Sequence, residues 1–137
     1  MPDPPSNVVL NKAAAIERCL ERVREVYADD PASLEDFTRQ DSIVLNLQRA
    51  AQAAIGLAMH LVRARGLGVP QTSREAFRLL ADGTDLDPAL ATAMERMVGF
   101  RNVAVHDYRA IHLPVVRAIV ERHLGDVAAF ARWALVA

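Results

Sequence analysis

At 137 residues the chain is one domain of ordinary size, able to build a core without disulfide staples. Its net charge of −1 is spread evenly, with no block of either sign, which excludes a basic stripe that binds nucleic acid by phosphate attraction alone. Hydrophobic residues make up 52% but aromatics only 5%, so Ala, Leu, Val, Ile and Met must fill the core, a composition that favours helices.

The first residues, MPDPPSN, have neither a basic n-region nor an apolar run, and residues 1–6 read as a flexible N-terminus. No later segment approaches the ~20 apolar residues needed to span a bilayer. The protein is therefore expected to be soluble and cytoplasmic, with no membrane partner.

Asn7 is a plausible N-cap for a first helix, whose apolar side is Leu10, Ile16, Leu20, Val23 and Tyr27 and which stops before Asp29-Asp30-Pro31. The lone cysteine, Cys19, lies at helical spacing between Ile16 and Val23 and reads as a small core residue. A single cysteine allows neither an internal disulfide nor a thiolate metal cluster, and points to a reducing compartment.

A second, long helix runs from Leu34 or Phe37 to Arg65. Ile43, Val44, Leu47, Ala51, Ala54, Ala58, Leu61 and Val62 share one broad face, and Asp41, Asn46, Arg49, Gln52, His60 and Arg63 share the other. The alanines let a neighbouring helix come close.

Gly66-Leu67-Gly68-Val69-Pro70 ends that helix, and Thr72 with Glu75 resembles a capping box for a short helix reaching Leu80. After the loop Asp82-Gly83-Thr84-Asp85, Asp87 as N-cap and Pro88 as first helical residue open a fourth helix. Leu113-Pro114 then starts a final helix carrying Val115, Ile119, Val120, Leu124, Val127, Phe130 and Trp133. No stretch shows strand alternation between hairpin turns. The expected fold is an all-α bundle of four to five helices, a single domain over residues 7–137.

The fourth helix contains an anomaly. Its apolar spacing gives Leu90, Met94 and Met97, then Arg101, then Val105 and Tyr108, so a charge interrupts a stripe that should be buried. Such a group must be paired, or face a cleft or subunit interface, because burying it alone is costly. At ~100° per residue, His106 lies about 140° around the helix from Arg101. Either the helix breaks near His106, or a site using both residues combines two copies of the chain. The plainer reading is a polar surface or capping histidine and an arginine paired with a core carboxylate. His60, His112 and His123 lack partners at useful spacing and read as solvated or capping groups, with His112 near enough to line a cleft.

The ordered set Arg101-Asn102, three residues, His106, one residue, Tyr108 resembles the RN-xxx-H-x-Y signature of HepT-like toxins in the HEPN superfamily. The segment QDSIVLNLQRAAQAAIGLAMHLV is similar to the family helix that begins with an Asp, and IHLPVVRAIVERHLGDVAAFARW to its last helix. The resemblance covers roughly residues 7–133, although only the RN-xxx-H-x-Y set is specific. It implies a HEPN-type bundle and a metal-independent RNA endonuclease, the toxin of a type VII-like toxin–antitoxin system, with RNA as substrate and no cofactor.

On that resemblance His106 is the general acid/base for attack of a ribose 2′-hydroxyl on the adjacent phosphate. Arg101 holds the phosphate with its planar donor fork, and Asn102 positions the phosphate or His106. The family's homodimers place two motifs across a shared cleft. Tyr108 is the implied acceptor of AMP from a minimal nucleotidyltransferase antitoxin, adding charge and bulk where substrate phosphate should sit. No carboxylate or Cys/His cluster has metal-ligand spacing. Two alternatives stand beside this reading: a non-catalytic HEPN module that binds a nucleotide or a nucleotidyltransferase, and a helical adaptor using the alanine-rich face.

Overall fold

A computed structural model of the chain describes residues 4–137, in which every regular element is helical. The elements are α1 (Asn7–Tyr27), α2 (Phe37–Ala64), α3 (Ser73–Gly83), α4 (Pro88–His106), α5 (Leu113–Ala118) and α6 (Leu124–Val136). Short 3-10 turns lie at Pro31–Glu35 and Tyr108–Ala110, and a π turn at Ile119–His123 joins α5 to α6. With α5, the π turn and α6 taken as one arm, the bundle has five helical members, as the periodicity predicts.

The helix starts follow local chemistry. Ser6, not Asn7, caps α1: its Oγ accepts from the Val9 N–H at 3.3 Å and also lies 3.3 Å from His60 Nε2 on α2. The end of the segment expected to be flexible is thus tied to the bundle, while residues 1–3 lie outside the described residues. Asp36 caps α2 and settles its start at Phe37. Thr72 caps α3 through the Glu75 N–H at 3.1 Å, and the Glu75 carboxylate reaches back to the Gln71 N–H. Asp87 caps α4, with Pro88 behind it. Helix α3 runs three residues past Leu80, so Asp82 and Gly83 are helical and the loop before α4 is shorter than its composition suggests.

Helix α2 is the spine. Ser6 against His60, and Lys12 over Gly56, show that α1 runs antiparallel to it. Every residue expected on its apolar face is buried, and Ala50, Ala51, Ala54 and Ala58 let neighbouring backbones approach. Helices α3 and α4 also run antiparallel, since Arg78 meets Thr92 and Glu95 while Ser73 meets Arg101. Helix α6 closes the core against α1, α2 and α4, with Phe130 edge-on to Phe77 at 5.1 Å.

Three details depart from the expected pattern. Leu10 points to solvent while Val9 and Ala13 bury the start of α1, because the docking angle on α2 selects the neighbouring phase of the helix. The corner after α1 uses two consecutive left-handed residues, Ala28 and Asp29, and is closed by buried Ser33, which donates to the Tyr27 carbonyl at 2.8 Å. The last helix is not continuous: the π turn rotates its register, so Val115 is half exposed while Ile119, Val120 and Leu124 are buried. That wide turn brings Glu121 to the Tyr27 hydroxyl, which donates to its carboxylate. Cys19 is half-buried, and burial pushes its thiol up from the ordinary range, as suits a packing residue rather than a nucleophile.

Candidate active site

One stripe of α2 faces the motif. Asp41, Leu45, Gln48 and Gln52, at steps of four, three and four residues, line the same side of the helix over ~16 Å. At one end Arg101 Nη1 donates to Gln52 Oε1 at 2.7 Å; at the other the Tyr108 hydroxyl donates to Asp41 Oδ1 at 2.5 Å. The two contacts fix α4 antiparallel to α2. Leu45 and Val105, both more than 40% exposed, lie on the stripes between these polar ends.

Arg101 is half-buried where the stripe leaves the core. The next buried residue of α4 is Ala104, not Val105. Its Nη2 donates to Ser73 Oγ at 3.3 Å, at the first turn of α3, and its Nε is buried with no hydrogen-bond partner. The plainer expectation of a core carboxylate partner fails: among the described residues no ion pair includes Arg101. A permanently charged fork is held in place by two neutral oxygens, so its charge stays available to an anion.

His106 is the last residue of α4, exposed, with no side-chain hydrogen bond among those found in the described residues. The helix ends immediately after it, where Asp107 takes an extended φ of −152° and its N–H closes on the Val103 carbonyl at 2.8 Å. Because His106 is itself still helical, the break does not swing it toward Arg101, and one chain does not bring the two together. Asn102, half-buried one turn below His106, has no side-chain hydrogen bond in the same set.

Tyr108 lies beyond the helix in the 3-10 turn, and its ring folds back over the first turns of α2. Although 45% of the residue's surface is exposed, its hydroxyl is pushed up to about 12 by burial, by its bond to Asp41 and by that carboxylate's charge. The adjoining face of α4 borders an apolar groove of about 490 Å³ whose walls include Phe100, Val103, Ile111, Pro114 and Val115. His112 lines this groove, as its proximity to the motif suggests, and so does His123, which is bonded to Asp126; His60 lies elsewhere, bonded to Ser6. Among the described residues no three His, Cys, Asp or Glu side chains are grouped to hold a metal ion, and no helix is long and apolar enough to cross a membrane.

Asp41, Gln52 and Ser73 are the residues of this site that motif reading misses. Their signal is weak: Asp41 and Gln52 share a helix face and cap nothing, but only the α2–α4 packing reveals what they touch.

A family model described as Ribonuclease HepT-like matches residues 16–133. The mRNA nuclease HepT of Shewanella oneidensis is 43% identical over 125 residues, covering 91% of this chain and 94% of that protein. Among solved structures, the tri-AMPylated Shewanella oneidensis HEPN toxin in complex with MNT antitoxin superposes with a TM-score of 0.87 at 42% identity, over 93% of this chain and 96% of that one. A toxin–antitoxin crystal structure with AMP-PNP gives 0.88 at 41% identity, over 94% and 98%.

Proposed function

The chain belongs to the Ribonuclease HepT-like family, and on that footing we propose that it is the RNA-cleaving toxin of a toxin–antitoxin pair. The observation that carries this reading is Arg101: a half-buried guanidinium gripped by Gln52 and Ser73, with no carboxylate to neutralise it and with Nε unpartnered. Such a group is ready for a phosphate, and its planar fork suits the charge that builds on the phosphoryl oxygens as the bond breaks.

In the proposed reaction His106 takes the proton of a ribose 2′-hydroxyl as that oxygen attacks the adjacent phosphorus. The 5′-oxygen leaves with the bonding pair and takes that proton from the protonated His106, giving a 2′,3′-cyclic phosphate and a 5′-hydroxyl. Asn102 orients the phosphate or the imidazole. Since Arg101 and His106 diverge by about 140° on one straight helix, the working site pairs Arg101 of one copy with His106 of another. The apolar groove along α4, walled by Phe100 and Val103, supports a homodimer on that face.

The partner is a minimal nucleotidyltransferase antitoxin, as in the solved relative that is AMPylated and bound to its MNT antitoxin. Tyr108 is the acceptor: an AMP on its hydroxyl places a phosphodiester anion at the edge of the cleft that RNA must enter. The lone cysteine, which can form no internal disulfide, suits work in the cytoplasm, where the RNA is. Purified protein incubated with mRNA and tRNA in chelator tests the nuclease reading. Cleavage by wild type that is lost in His106→Ala is the expected result; equal, absent cleavage by both rejects it.

A further inference from the structure

We propose that Asp41 is a catalytic residue for the silencing step, the base that takes the Tyr108 proton when the tyrosine accepts a nucleotide. The inference rests on Tyr108 being the acceptor, as read above. An unactivated phenol is a poor nucleophile at neutral pH, and something must remove its proton as the new bond forms.

The group in place to do so is on this chain. Asp41 Oδ1 accepts the Tyr108 hydroxyl at 2.5 Å, the short end for a hydroxyl bonded to a carboxylate and within the reach a general base needs. Among the described residues no other side-chain hydrogen bond to that hydroxyl is found. His106 makes no such bond, and the charge that acts on the phenol is that of Asp41. Asp41 stands in the second turn of α2. Asp36 already caps that helix, so Asp41 is not needed for capping.

The step balances. Tyr108 Oη attacks the α-phosphorus of a nucleoside triphosphate held by the antitoxin, and the Oη–P bond forms. The bond from that phosphorus to the bridging oxygen breaks, and pyrophosphate leaves with the electron pair. The hydroxyl proton passes to Asp41 Oδ1 and from there to water. Once that proton has gone, the diester and the carboxylate repel each other, so the modified ring does not settle back on α2.

The test compares wild type, Asp41→Asn and Tyr108→Phe, each incubated with ATP and the MNT antitoxin and followed by intact mass for the first AMP increment. Asparagine keeps the size and polarity of the residue but cannot take the proton. The expected result is a loss of about 100-fold or more in the initial rate for Asp41→Asn. Its residual rate should climb with pH as the phenol ionises unaided; a merely positional role for Asp41 would leave the pH profile parallel to wild type and overturn the inference. An Asp41→Asn rate within a few-fold of wild type also overturns it. AMP uptake by Tyr108→Phe at the wild-type rate, or none by wild type, places the failure in the acceptor assignment rather than in Asp41.

Discussion

Tyr108 and Asp41, 67 residues apart in sequence, share a 2.5 Å hydrogen bond that ties the turn after α4 to the start of α2. The bond and the carboxylate's charge add to burial in raising the hydroxyl to about 12. Asp41→Asn removes the charge and weakens the acceptor, so the Tyr108 hydroxyl should ionise closer to the ordinary phenol value of about 10. Tyr27 is also raised to about 12, by burial and by Glu121, so tyrosinate absorbance is best followed in a Tyr27→Phe background. No downward move of the remaining transition in Asp41→Asn would count against the contact.

The same two tyrosines set an alkaline limit on stability. Both hydroxyls titrate higher in the folded chain than in the unfolded one, where the value is about 10. Their contribution is therefore complete below pH ~10 and is lost as pH rises toward ~12. Urea midpoints measured across that window should fall for wild type and fall less for Tyr27→Phe. A drop of equal size in both proteins would contradict the assignment.

Arg101 should be sensitive to shape as well as charge. Lysine keeps the charge but cannot reach both Gln52 and Ser73 or offer a planar fork to phosphate, so Arg101→Lys should lose about 100-fold or more in single-turnover RNA cleavage. Its thermal stability should hold or rise, because the native guanidinium leaves a buried Nε unpartnered. Near-wild-type cleavage by the lysine variant would remove the phosphate clamp from the mechanism.

Divergence of Arg101 and His106 on α4 makes a prediction about mixing. Arg101→Ala and His106→Ala should each be inactive alone. Once their subunits exchange, half the dimers are mixed and each carries one intact composite site, so about a quarter of the activity should return. A mixture as inactive as its parts places both residues in one chain's site.

The groove beside the motif gives a fifth test. Val103 is 38% exposed on its wall, and a carboxylate there would be desolvated by an apolar partner. Val103→Glu should shift sedimentation toward the monomer and abolish cleavage while leaving helical circular dichroism intact. A dimer that survives the change lies on another face.

Much of this molecule is written in its local sequence. The apolar face of α2, the caps at Thr72 and Asp87 and the glycine-rich stop after Arg65 are legible because each depends on residues within about one turn of each other. The motif Arg101, Asn102, His106, Tyr108 is legible because it is contiguous. Where local signals compete, the packed bundle decides: Ser6 rather than Asn7 caps α1, Val9 rather than Leu10 is buried, and a π turn re-phases the last helix. What Arg101 and Tyr108 touch depends on the register of α4 against α2, across 49 and 67 residues. No spacing rule reaches that far, since the register is set by how whole helix faces interlock. The sequence by itself thus singled out Arg101, Asn102, His106 and Tyr108 as the candidate set, and only the tertiary structure decided that Arg101 is held by neutral oxygens while Tyr108 lies on a carboxylate.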